Sequence, residues 1–331
     1  MHCAGHIHIE CFIAPQLTTI RIAGTSRASL TLLTGLGLRC PRLTDVTYLS
    51  YGRPPDLQSL AVSAGSECVR GLYDLEILYA GVLDRAALEH LSRLTSLRDL
   101  VLGGCPSDWI AFTSEPFFPS LRTLHVSSDI ISATRFLGVA KQLPIVELSV
   151  ESPDSLSVPD EVHQLFSAVS AGISPLMLQT FSFFNGFDPF DRDRSSDYLL
   201  QSSSLQGLFC FVNLTDLHLL SVVGIDWDDA TITDMAPFDA TVIPTSSSQF
   251  SLDKLESLGV DASPISKARP VAEFLAGIFP RLNDFDTLAD AVDDEEWEED
   301  VVPQTFDYHR RWKKVEAMLK CLIAERDATV S

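Results

Sequence analysis

Positive charge is scarce in this sequence: 24 Lys and Arg stand against 45 Asp and Glu, for a formal charge of −21. Spread over a surface, that balance repels phosphate backbones, so nucleic acid is not expected as a partner. No stretch approaches the ~20 apolar residues that a membrane helix needs. The opening MHCAGHIHIECFIAPQ lacks a basic start followed by a long apolar run, which argues against a secretory leader. No membrane partner is expected either. The seven cysteines (Cys3, Cys11, Cys40, Cys68, Cys105, Cys210, Cys321) are odd in number and contain no C-x-x-C pair. They read as reduced thiols of an intracellular protein, cytoplasmic or nuclear, several of them buried as small apolar side chains. The sequon at Asn213, Leu214 and Thr215 would matter only in a secreted protein.

Catalytic signatures are missing as well. The chain has no G-x-S-x-G elbow, no H-E-x-x-H pair and no Walker lysine, and His90, His125, His163 and His218 fall in separate segments. TGLGLRC, from Thr34 to Cys40, has two glycines at the spacing of a phosphate loop but neither its third glycine nor its lysine. It reads as a flexible part of a helix. The start HCAGHIHIEC gathers His2, Cys3, His6, His8, Glu10 and Cys11, donor types that suit zinc, without the spacing of a finger. These readings call for no cofactor and no metal, and they disfavour an enzyme.

What the chain does have is a phrase that it rewrites. FPSLRTLHV (118–126), CPRLTDVTY (40–48), FVNLTDLHL (211–219) and FPRLNDFDT (279–287) share a leucine followed by apolar residues three and five places later. Ten segments fit this frame, anchored at Leu17, Leu43, Leu72, Leu97, Leu121, Ile145, Leu178, Leu214, Leu255 and Leu282. The last two apolar positions are two apart, which is strand alternation and not a helix face. Most anchors follow one another at roughly 24 to 29 residues, the period of leucine-rich repeats, and three later intervals are longer.

Between the phrases run stretches with helical spacing, such as SRASLTLLTGLGLRC, LDRAALEHLSRL, ATRFLGVAKQL and PVAEFLAGIF. Three of them end near a proline, at Pro41, Pro144 and Pro280, expected to stop the helix and turn the chain into the next strand. One such unit cannot hide its apolar side, but stacked units can. The expectation is an α/β leucine-rich-repeat solenoid over 1–288: a curved stack of short parallel strands with helices on the convex side. Insertions are expected near 185–204, as a binding loop, and 224–251, partly disordered. An acidic linker should cover 289–303 and a capping helix 304–326, its stripe made by Tyr308, Trp312, Val315, Leu319, Leu322 and Ile323. The HRRWKK face of that helix also suits a membrane surface, against which its acidic neighbours argue. Asn or Cys, which the best-known repeat pattern places after the strand, is matched by Cys105 alone.

Irregular C/F-P-x-L-x-x-L strands between amphipathic helices, followed by WEED (297–300) and HRRWKKVEAML (309–319), resemble the repeat region and tail of fungal F-box and leucine-rich-repeat proteins of the basidiomycete type. In that family an F-box helix bundle grips the Skp-type adaptor of a cullin ubiquitin ligase and the repeats choose the substrate. The resemblance implies a noncatalytic protein-recognition module, a substrate-binding repeat region. The alternative is a ligase-independent scaffold. No L-P-x-E-I/L-x-x-I/L opening is present, so a Skp-type adaptor is expected as a partner only if an F-box is encoded upstream, and the chain reads as a truncated product or a repeat-only relative.

In such a stack the residues flanking each inward pair face the concave side. Those singled out as a binding surface are Asp45, Asp74, Glu76, Asp99, His125, Glu147, Glu151, Asp216 and His218. The flanking set carries ten acids against Arg21 alone, which predicts a protein partner with a basic face, since opposite charge steers encounter and specificity.

Overall fold

The computed structural model describes residues 14–23, 26–49, 55–105, 117–153, 159–185, 202–221, 252, 254–260, 267–286 and 303–330. They divide into two compact units, Met1–Ser128 and Asp129–Ser331. The zinc-suited start, the acidic run, most of the first insertion and all of the second lie outside the described residues. The described part of the first insertion is ordered structure: Asn185 ends a strand and Ser202 opens a 3-10 helix, Ser202–Cys210.

The first unit runs β1 (Thr19–Ala23), α1 (Arg27–Leu33), α2 (Leu36–Arg39), β2 (Asp45–Leu49), α3 (Pro55–Arg70), β3 (Ile77–Ala80), α4 (Arg85–Leu91), β4 (Asp99–Leu102) and β5 (Thr123–Ser127). Its strands stand in chain order and every pair is parallel. The second unit runs α5 (Ile130–Val139), β6 (Glu147–Ser152), α6 (Pro159–Gly172), β7 (Thr180–Asn185), the 3-10 helix, β8 (Asp216–Ser221), β9 (Ser257–Val260), α7 (Ala268–Ile278), β10 (Asp284–Asp286) and α8 (Pro303–Val330). Here too the strands follow chain order and pair in parallel. Parallel neighbours need a crossover, and a helix in most crossovers is what a repeat α/β fold of the leucine-rich type supplies.

The rewritten phrase has a structural meaning at both ends. Its start is a turn closed by the anchor leucine: Leu43 N–H donates to Cys40 O (3.2 Å), Leu121 to Phe118 O (3.3 Å), Leu214 to Phe211 O (3.1 Å) and Leu282 to Phe279 O (3.2 Å). The first residue of each turn is buried. Pro41, Pro119 and Pro280 take the second turn position, which their fixed φ suits. Pro144 differs: α5 already ends at Ala140, so that proline does not stop it.

One residue further on, a carbonyl accepts from two successive amides of the next repeat. In the first unit Thr18 O takes Thr44 and Asp45 N–H (2.8 and 3.0 Å), Thr44 O takes Glu76 and Ile77 (2.8 and 2.9 Å), Glu76 O takes Arg98 and Asp99 (2.8 and 3.1 Å), and Arg98 O takes Arg122 and Thr123 (2.7 and 3.0 Å). In the second unit Val146, Gln179, Thr215 and Glu256 do the same for the repeats that follow them. These forks lock the register at the strand entrance, before any side chain is considered.

The register corrects one expectation. Val46 pairs with Leu78 and Tyr48 with Ala80, and these pair in turn with Leu100 and Leu102. The third anchor is therefore Leu75, not Leu72, and the inward pair is Leu78 and Ala80. Leu72 is buried one turn earlier, where its carbonyl meets His90 Nε2 at 2.7 Å.

Inward residues of the strands form the core with the helices. Tyr48 is accommodated because α3 presents Ala61, Ala64, Gly65 and Ser66 as buried small residues, with Gly65 directly over the tyrosine hydroxyl. In the second unit Phe166 of α6 meets Phe181 and Phe183 of β7 edge to face, at 5.7 and 5.6 Å between ring centroids. Each such pair adds about 1 kcal/mol beyond area burial. Asp84 and Asp129 cap α4 and α5 by accepting from Ala87 N–H (2.8 Å) and Ser132 N–H (2.9 Å).

TGLGLRC is a break between two helices and not part of one continuous helix. Gly35 sits at φ 78° and splits the segment into α1 and α2, and Gly37 is buried against the backbone of Cys68 and Gly71. At or just past the strand ends stand small polar residues, one of them an Asn. Ser128 Oγ accepts from Cys105 N–H (3.2 Å) in the first unit, and Ser152 and Asn185 are buried register partners in the second. At the end of the second unit α8 buries Trp312, Val315 and Leu319. Trp312 lies 5.3 Å from Phe285 of β10, and Arg326 donates to the carbonyls of Ala276 and Pro280 at the end of α7.

Candidate protein-recognition surface

Strand alternation leaves the other set of side chains on the face that the helices do not cover. In the first unit one register row of that face reads Thr19, Asp45, Ile77, Asp99 and Thr123, and the next reads Arg21, Thr47, Tyr79, Val101 and His125. In the second unit the corresponding rows read Glu147, Thr180, Asp216, Ser257 and Asp284, then Ser149, Ser182, His218, Gly259 and Asp286.

Seven of the singled-out residues therefore stand on strands at outward positions: Asp45, Asp99 and His125 in the first unit, and Glu147, Glu151, Asp216 and His218 in the second. Asp74 and Glu76 do not. Both are exposed, but they precede β3, and Ile77 and Tyr79 occupy the places assigned to them. The misplacement follows from Ala80, whose small side chain hides the apolar pair that Leu78 begins. The register matches YAG (79–81) to VLG (101–103): Ala80 stands opposite Leu102, Gly103 N–H bonds Ala80 O at 2.8 Å and Gly103 packs on Gly81.

This changes the electrostatics. The first unit's face is mixed, with Asp45 and Asp99 around the apolar Ile77, Tyr79 and Val101, Arg21 to one side, and Glu76, Arg98 and Arg122 along the entrance rim. The second unit's face is the acidic one. There Asp216 accepts from Thr215 Oγ1 (2.6 Å) and Thr180 Oγ1 (3.5 Å), and Asp284 accepts from Ser257 Oγ (3.4 Å). Hydroxyl neighbours hold these carboxylates in place without neutralising them. The His218 ring lies over Gly259, where any Cβ would collide with Nδ1 at 2.7 Å.

Helices, by contrast, carry internal ion pairs: Arg85–Glu89 and Arg269–Glu273 at 2.8 Å, and Lys320–Glu316 at 2.7 Å. Asp45, Asp99 and Glu147 form no ion pair among the described residues. Burial pushes the thiols of buried Cys40 and half-buried Cys210 upward and drives that of buried Cys68 up to about 12, which disfavours the reactive thiolate. Among the described residues no group of His, Cys, Asp or Glu is arranged to hold a metal, and no helix is long and apolar enough to cross a membrane. The Asn213 amide is already engaged, donating to Leu176 O (2.7 Å) and accepting from Lys254 Nζ (2.5 Å).

Compared with known proteins, the chain matches no family model and no curated protein.

Proposed function

We propose that this chain is a noncatalytic protein-recognition module that binds its partner through the uncovered strand face. We further propose that it is the substrate-binding repeat region of an F-box-like protein serving cullin-type ubiquitin ligation. The observation that carries the recognition reading is the register. In each unit, parallel strands in chain order present rows of side chains spaced ~4.8 Å apart, while salt-bridged helices cover the opposite face. Repeat stacks bind through such extended surfaces. The acids of the second unit suit a partner with a basic patch.

Affinity purification compares the wild-type chain with a strand-face variant (Asp45→Lys, Asp99→Lys, Glu147→Lys) and a helix variant (Arg85→Glu, Glu89→Lys). Proteins retained by the wild type and the helix variant but lost from the strand-face variant support recognition. Equal retention by all three contradicts it. Direct binding of a purified Skp-type adaptor separates the ligase reading from a ligase-independent scaffold.

A further inference from the structure

We propose that Asp45, Ile77, Tyr79 and Asp99 form a seat for one lysine or arginine side chain of the protein partner. The inference rests on the recognition reading above and names the chemistry of one contact within it. Asp45 pairs with Ile77 and Ile77 with Asp99, so Ile77 stands midway between two carboxylates, about 5 Å from each in the backbone. Tyr79 lies two residues on, on the same face and about 7 Å away, and the residue is 38% exposed.

That arrangement matches the anatomy of a long cationic side chain. Its aliphatic stem covers the apolar Ile77 and the tyrosine ring, whose negative face attracts a cation, and its charged head reaches the flanking carboxylates. Neither Asp45 nor Asp99 has an ion pair or side-chain hydrogen bond among the described residues. At the strand entrance Glu76 stands one position before Ile77, with Arg98 and Arg122 in the same place of the next two repeats, so the rim is mixed in sign while the interior of the seat carries only carboxylates. An anion would meet two carboxylates, and a short apolar side chain would leave both unused. The complementary occupant is therefore a cation on a long stem.

The test selects displayed random peptides on the full chain at low salt, and the best binder is then synthesised and titrated. The expected binder contains a Lys or Arg whose replacement by Gln weakens it about tenfold. Asp45→Asn with Asp99→Asn weakens it to a similar degree and flattens its salt dependence, and Tyr79→Ser weakens it severalfold. Glu147→Gln with Asp216→Asn leaves it within about twofold. Thermal melting of each variant checks that the fold is kept. A binder that responds to Asp45 and Asp99 but has no cation overturns the seat. A binder that responds only to Glu147 and Asp216 overturns the seat and leaves the recognition reading standing. Binders insensitive to both pairs, or no binders, overturn both.

Discussion

Gly37 and Gly71 hold the backbones of successive repeats in direct contact. A Cβ built on Gly37 would stand 2.9 Å from the Gly71 Cα, and one built on Gly71 would stand 3.0 Å from the Gly37 Cα. Side chains at either position would push apart repeats whose strands are already registered by forked amide hydrogen bonds. Repeat spacing is thus set on the helix side as well as in the sheet.

Gly37→Ala is expected to destabilise the protein by about 2–3 kcal/mol, because the obstructing atoms belong to backbone and cannot move aside. Gly138, in α5, has no atom within 4 Å of a built Cβ. Gly138→Ala should therefore raise stability by about 0.5–1 kcal/mol through the unfolded chain. Urea unfolding followed by circular dichroism measures both.

Cys68 gives the protein a stability loss in alkali. Burial pushes its pKa up to about 12, above the ordinary value of 9.0, so the folded state holds the proton more tightly than the unfolded state. Its contribution is complete below pH 9 and is lost as pH rises from 9 towards 12, at about 1.4 kcal/mol per pH unit. Cys68→Ala should show a shallower loss than wild type between pH 9 and 11, with Tyr and Lys titration common to both. In the native protein at pH 8, iodoacetamide should modify exposed Cys321 and spare Cys68.

Trp312→Ala should cost about 3–5 kcal/mol, since the indole is 1% exposed and closes the end of the second unit over Phe285. Met318, on the same helix but 38% exposed, should tolerate Ala with less than about 1 kcal/mol of loss. Differential scanning calorimetry of the two variants separates these outcomes.

The strands were legible because Leu97, Leu100 and Leu102, or Leu121, Leu124 and Val126, are all large and apolar. The third repeat was not, because Ala80 is too small to announce an inward position and Leu72 offered a better-looking frame. That slip moved two acids onto the face and hid Ile77 and Tyr79. The tight role of Gly37 was illegible because it depends on Cys68 and Gly71 in the neighbouring repeat. Ser128 and Ser152 were illegible because the pattern calls for Asn or Cys there and not for any small polar side chain, and Asn185 because it falls at the edge of the expected insertion. Charge was read correctly in sum, yet its uneven sharing between the two units needed the register.

Carboxylate footprinting tests the recognition face most directly. The full chain is labelled free and bound to the partner recovered by co-purification, and modification is quantified residue by residue. Protection of Asp45, Asp99, Glu147 and Asp216, with Glu89, Glu273 and Glu316 unchanged, is the predicted result. Protection confined to Glu89, Glu273 or Glu316 would place the partner on the helices and contradict the account.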